Sequence, residues 1–258
     1  MWSIKKTEFE GWIKVLVNNS EEIIELLRTA DNNAFDAIIG AAVEYEWIKL
    51  DNFVKNMRGL HRSLVTDRFF GENNPYSIAV YIMQTNTLVV DKHNFSNLIY
   101  HNFTLILHEY VHILSSNLEK FITGYQIDEE HKMFNEAATQ WLVCKILGID
   151  VNDNPIYTEP TKMFDDLVRV FGEEKMYSGF FDADYSKFLS QFTDIEKAVI
   201  EQKVTEMNKT LEAQQLKETF TYLDKRFQEI KEAEKNNPQP VNTTKDEKDE
   251  SDRDDDIR

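Results

Sequence analysis

Apolar residues recur at helical spacing along most of the chain. They are densest in Phe103-Thr104-Leu105-Ile106-Leu107-His108-Glu109-Tyr110-Val111-His112-Ile113-Leu114. That stretch is apolar on nearly every side, which predicts a central, buried helix from near Ser96 to about Leu118. Upstream, residues 1–18 fit strand or helix equally. Ser20 reads as an N-cap for Glu21-Glu22-Ile23-Ile24-Glu25-Leu26-Leu27. The spacing of Ile38, Ala41, Ala42, Tyr45, Ile48, Phe53, Met57 and Leu60 predicts further helix from Ala34 to about Leu64. Two β-type runs, 78–82 and 87–90, are joined by Met83-Gln84-Thr85-Asn86 and predict a hairpin whose edge could take an extended peptide by strand addition.

Phe121 to Glu130 reads as a loop, and residues 131–147 as a helix closed by Gly148. Pro160 suits the first turn of a helix ending at Gly172. Short helical pieces fill 173–192. Thr193-Asp194-Ile195-Glu196 is a capping box that opens a long amphipathic helix, with Val199, Met207, Leu211, Phe220, Leu223, Phe227 and Ile230 on one side. Residues 245–258 hold eight acids and four bases, so an acidic tail over 236–258 is expected to be disordered. The expected class is mainly α (α+β). Its segments are a helical part at 1–74 packed on the core, a core at 75–192, the long helix at 193–235 and the tail.

Composition narrows the function. Eight glycines and five prolines in 258 residues favour helices over a turn-rich β fold. A net charge of −17 argues against nucleic acid or an anionic membrane as partner. Cys144 is the only cysteine, which rules out an intrachain disulfide. The first ten residues lack the apolar core of a signal peptide and no long apolar run occurs, so the expected location is cytoplasmic.

The candidate chemistry lies in the densest stretch. His108 and His112 are four residues apart, so on a helix they share one face and both reach one ion. Neutral imidazole is a good zinc ligand, and Glu109 is placed to take a proton from a metal-bound water. His101, seven residues before His108, shares that face and fits a pocket wall better than a third ligand. On the next helix, Glu136 falls at the edge of an apolar stripe formed by Phe134, Ala137, Ala138, Trp141 and Leu142. A carboxylate there needs a partner, and zinc would be one. Three protein ligands would leave a fourth position for water, the pattern of a catalytic zinc.

His108-Glu109-x-x-His112 followed by Asn135-Glu136-Ala137-Ala138-Thr139 resembles the gluzincin metallopeptidases over roughly residues 75–172, and more weakly to about 192. The resemblance implies a zincin-like core: a hairpin or small sheet beside an active-site helix and a glutamate helix, flanked by further helices. It also implies one zinc ion per chain on His108, His112 and Glu136, Glu109 as general base, and a peptide or protein substrate. Gln140 replaces the acid that orients the first histidine in that family; it still accepts a hydrogen bond but adds no charge. For the residue that stabilises the oxyanion, Tyr157 is favoured by its place between the glutamate helix and the next, with Tyr125 and His131 as alternatives. Asp128 is an alternative third ligand. Ser115 and Leu118 stand where a metzincin needs glycine and histidine. The competing expectation is a non-catalytic scaffold that keeps zinc for stability and acts through its C-terminal helix.

Overall fold

The computed structural model describes residues 13–15, 21–65, 78–92, 95, 102–154 and 156–218, with single positions at 221, 225, 228 and 232. Strand β1 (Ile13–Val15) precedes helices α1 (Glu21–Glu44) and α2 (Asp51–Arg58). Strands β2 (His61–Val65), β3 (Ala79–Ile82) and β4 (Thr87–Asp91) follow. Together the four strands make one mixed sheet in the order β1-β2-β4-β3, with β1/β2 and β2/β4 parallel and β3 antiparallel to β4. The hairpin expected at 78–90 is present, with a short 3-10 turn at Met83–Thr85. It forms half of a larger sheet, which joins strands from both sides of residue 74.

The helix expected to run from Ala34 to Leu64 is instead two helices and a strand. Helix α1 is unbroken through Ala34 and stops at Glu44. Helix α2 ends at Arg58, and Gly59 and Leu60 close its last turn. The His61 N–H then donates to the Asn86 carbonyl at 2.9 Å and begins strand pairing. Ser20, the expected cap, lies outside the described residues, as does the stretch 96–101 that holds His101.

The central helix is α3 (Asn102–Ser115). It ends at Ser115 rather than Leu118, because Ser116–Asn117 (β5) pairs with Ile122–Thr123 (β6) in a small hairpin. That hairpin takes the start of the expected 121–130 loop. Gly124, which closes it, has φ +51°, and a Cβ there would lie 2.2 Å from the Asn135 Oδ1 atom. Only glycine fits.

Ile106, Leu107, Tyr110, Val111, Ile113 and Leu114 are fully buried, so α3 sits at the centre as its pattern predicts. The carbonyls at its C-terminal end would be orphaned in an apolar core. Asn56 of α2 donates to Ile113 O at 2.9 Å and to Ser116 O at 2.8 Å, and the Ser116 hydroxyl donates to His112 O at 2.7 Å. At mid-helix, Arg62 of β2 donates to Asp31 of α1 at 2.9 Å and to the Tyr110 hydroxyl at 3.1 Å, while the Tyr110 hydroxyl donates to Asp31. These contacts hold α3 against α1, α2 and the sheet.

Helix α4 (Lys132–Leu147) closes with Gly148 in the left-handed region, as expected. It is buried from Lys132 to Cys144 on every side, a wider burial than a single stripe predicts. Helices α5 (Thr158–Phe171), α6 (Glu173–Met176) and α7 (Tyr185–Leu189) surround it. The capping box opens α8 (Asp194–Met207). The long helix expected over 193–235 breaks after Met207. The Thr210 hydroxyl accepts from the Ala213 N–H at 3.3 Å and restarts helix at 211. The buried side of α8 is Ile200, Val204 and Met207, whereas Val199 and Leu211 are exposed. Phe220, Leu223, Phe227, Ile230 and the 236–258 tail lie outside the described residues.

The chain is mainly helical with a small mixed sheet. Among the described residues, no helix is long and apolar enough to cross a membrane. Asn56→Ala strips the donors from two buried carbonyls, each costing about 1–3 kcal/mol. Urea unfolding should show a loss of that order, with the slope of the transition unchanged.

Candidate metal centre

Helix α3 turns His108 and His112 to one side, where α4 crosses and presents Glu136. His108 Nε2 lies 3.0 Å from Glu136 Oε2, His112 Nε2 3.3 Å from the same oxygen, and the two Nε2 atoms 3.1 Å apart. All three side chains are buried, and they form the one group of metal-ligand type found among the described residues.

The protons on these groups decide what the cluster can hold. Gln140, one turn beyond Glu136 on α4, places Oε1 2.8 Å from His108 Nδ1. The amide nitrogen of Gln140 donates to Asn154 Oδ1 at 2.7 Å, so the end facing His108 is the carbonyl. A carbonyl only accepts, so the neutral ring carries its proton on Nδ1 and aims a lone pair from Nε2. That lone pair faces a carboxylate oxygen. Two acceptors at 3.0 Å repel unless a cation, a metal ion or a proton, lies between them. Ligands on a tetrahedral zinc at ~2.0–2.1 Å stand about 3.3 Å apart, close to the separations here. The residues fit a metal ion. Among the described residues His112 has no anchor of the Gln140 kind, since its Nδ1 is buried without a hydrogen-bond partner there.

Glu109 leaves α3 toward β3, where the Tyr81 N–H donates to its Oε2 at 2.6 Å. Tyr81 pairs with Leu88, and Asp91 N–H donates to Ile78 O. In that phase of the ladder, the main-chain groups of Ala79 and Tyr81 point away from β4. Burial pushes the Glu109 carboxyl up to about 7, helped by Glu136 and opposed by His108 and the Tyr81 N–H. Burial also acts to raise Glu136, but His112 and His108 overcome it and hold this carboxyl well below the usual range. Two carboxylates in one site are thus driven apart, one toward protonation and one firmly ionised.

Tyr157 lies beside them, its ring 5.7 Å from that of His108. Burial raises its phenol well above the ordinary value, with Glu136 and Glu109 pushing the same way. Its backbone is left-handed (φ +50°), an uncommon state for a bulky residue that sits here at the start of α5. The two alternatives for its role are elsewhere. Tyr125 is in the aromatic core, its hydroxyl bonded to the Met176 carbonyl. His131 lies with its Nδ1 2.6 Å from Asp128 Oδ1 and its ring 4.6 Å from that of Tyr185. Asp128, so engaged, is outside the cluster. Two participants carry no sequence signal: Asn154, in the loop before α5, and the Tyr81 N–H, a backbone group. No protein-family model matches this chain, and no curated protein or solved structure matches it either.

In the metal-free protein, the raised Glu109 carboxyl makes the folded state bind a proton that the unfolded chain loses above about 4.5. Stability therefore falls as pH rises from 4.5 to about 7, and the loss is complete above that. Glu109→Gln removes a penalty on the order of 3 kcal/mol. Relative to the unsubstituted protein, its melting temperature should rise between pH ~5 and ~8; an equal offset at both would refute the assignment.

Proposed function

We propose that this chain is a zinc-dependent peptidase of the gluzincin type. The reading rests on one observation above all: the ligand-type atoms of His108, His112 and Glu136 converge on one buried point, with Glu109 one residue along the same helix. The order of hairpin, active-site helix and glutamate helix supports it. The competing scaffold reading draws no comparable support, because a purely structural zinc needs no carboxyl poised near neutrality or phenol beside it.

His108, His112 and Glu136 would hold the ion. Bound there, zinc would supply Lewis acidity toward a water and a carbonyl oxygen. Glu109, buried beside the cluster and held by the Tyr81 N–H, would take a proton from the attacking water and deliver it to the leaving amine. Tyr157, its phenol kept protonated, would donate a hydrogen bond to the developing oxyanion. The side of β3 that no described strand covers would offer the Ala79 main chain and the Tyr81 carbonyl to an extended peptide, pairing as an added strand. The Tyr81 N–H is held back from that pairing by Glu109.

Purified protein should carry about one zinc per chain and cleave members of a peptide library. Glu109→Gln should keep the zinc and lose hydrolysis by about 10²–10⁴. Tyr157→Phe should lower turnover by about 10²–10³ with substrate binding little altered. Glu136→Ala should strip the metal and Asp128→Ala should not. Bound zinc without cleavage of any peptide would favour the scaffold.

A further inference from the structure

Gln140 differs from a carboxylate in one way that matters to His108: its two ends are unlike. A carboxylate offers an acceptor whichever oxygen faces the ring. A carboxamide turned by half a rotation offers an NH2 group instead. That group would donate to Nδ1, move the ring proton to Nε2, and place an N–H where a metal ligand needs a lone pair. Both orientations have the same shape, so packing around Gln140 does not choose between them.

The choice is made one residue further out. The Ile156 carbonyl can only accept, so Asn154 has to turn its Nδ2 toward it, and does. Asn154 Oδ1 then faces Gln140 and accepts from its Nε2 at 2.7 Å, with the Ile156 N–H 3.4 Å away on the same oxygen. Gln140 is left with its carbonyl toward His108 Nδ1, at 2.8 Å. A sign fixed by the backbone thus passes through two amides to an imidazole. Asn154 is 4% exposed and Gln140 0%, so water does not stand in for either. The other group near the Gln140 nitrogen, Cys144 Sγ at 4.0 Å, is a weak acceptor and favours the same orientation.

We infer that Asn154 is a positioning residue that sets the polarity of the Gln140 carboxamide and so the metal-competent tautomer of His108. The inference rests on the metal-site reading above, but its test requires no activity. Nitrogen NMR of the metal-free, full-length protein reports the His108 tautomer, and competition with a chromophoric chelator reports zinc affinity. With the ring neutral, the unsubstituted protein should show the Nδ1–H form; an Nε2–H form overturns the inference without any variant. Asn154→Ala should shift His108 toward Nε2–H and weaken zinc by roughly 10–100-fold. Asn154→Asp, which when protonated still donates to the Ile156 carbonyl and accepts from Gln140, should keep affinity near that of the unsubstituted protein.

The Gln140→Glu background separates this role from a general structural one. A carboxylate has no wrong end, so Asn154→Ala should cost little zinc affinity there. An equal cost in both backgrounds, or no cost in either, overturns the inference. A chain that binds no zinc at all defeats the metal-site reading instead, and the tautomer measurement still decides the role of Asn154.

Discussion

Three electron-rich atoms, two imidazole nitrogens and a carboxylate oxygen, are packed within 3.0–3.3 Å of one another where water is largely excluded. A protein interior tolerates that only if a metal ion or ring protons lie among them, since the atoms would otherwise be buried acceptors facing acceptors. Much of the surrounding fold serves to hold them there. Helix α3 is fixed at its end by Asn56 and at its middle by the Arg62, Asp31 and Tyr110 contacts. Helix α4 is sunk in the core along most of its length, so Glu136 has little room to retreat.

The two histidines are held differently. His108 is anchored through Gln140 and Asn154 to the backbone of the loop that leads into Tyr157. The outer end of its anchor therefore shares a loop with the strained Tyr157 backbone. His112 has only the cluster itself. A carboxamide rather than a carboxylate at position 140 places no charge beside His108. It also makes an otherwise ordinary loop asparagine important, because an amide has a direction and a carboxylate does not.

Glu109 connects this centre to the sheet. Its carboxylate meets the Tyr81 N–H on the side of β3 that no described strand covers. Under the proposed function, the group that moves the proton and the edge that would bind the peptide are thus in direct contact. A peptide paired on β3 would lie with its carbonyl carbon near Glu109 for that reason.

What the sequence by itself determined was local. Residues four apart on a helix share a face whatever surrounds them, so His108, His112 and their neighbour Glu109 were legible, as were α4 with its Gly148 end and the β3–β4 hairpin. Gln140 was legible as an acceptor for the first histidine through the resemblance. The tertiary structure decided what depends on distant partners. Strand β2, His61–Val65, continues an apolar spacing that reads as helix, and only pairing with β1 and β4 makes it a strand. The break at 208–210 turns on a single threonine cap that helical periodicity does not register. Tyr125, His131 and Tyr157 look alike as candidates along the chain. Packing buries the first in an aromatic core, pairs the second with Asp128 and brings the third beside His108. Asn154 had no signal at all, because a loop asparagine is ordinarily solvated, and only the fold places this one where its amide has a sign to transmit.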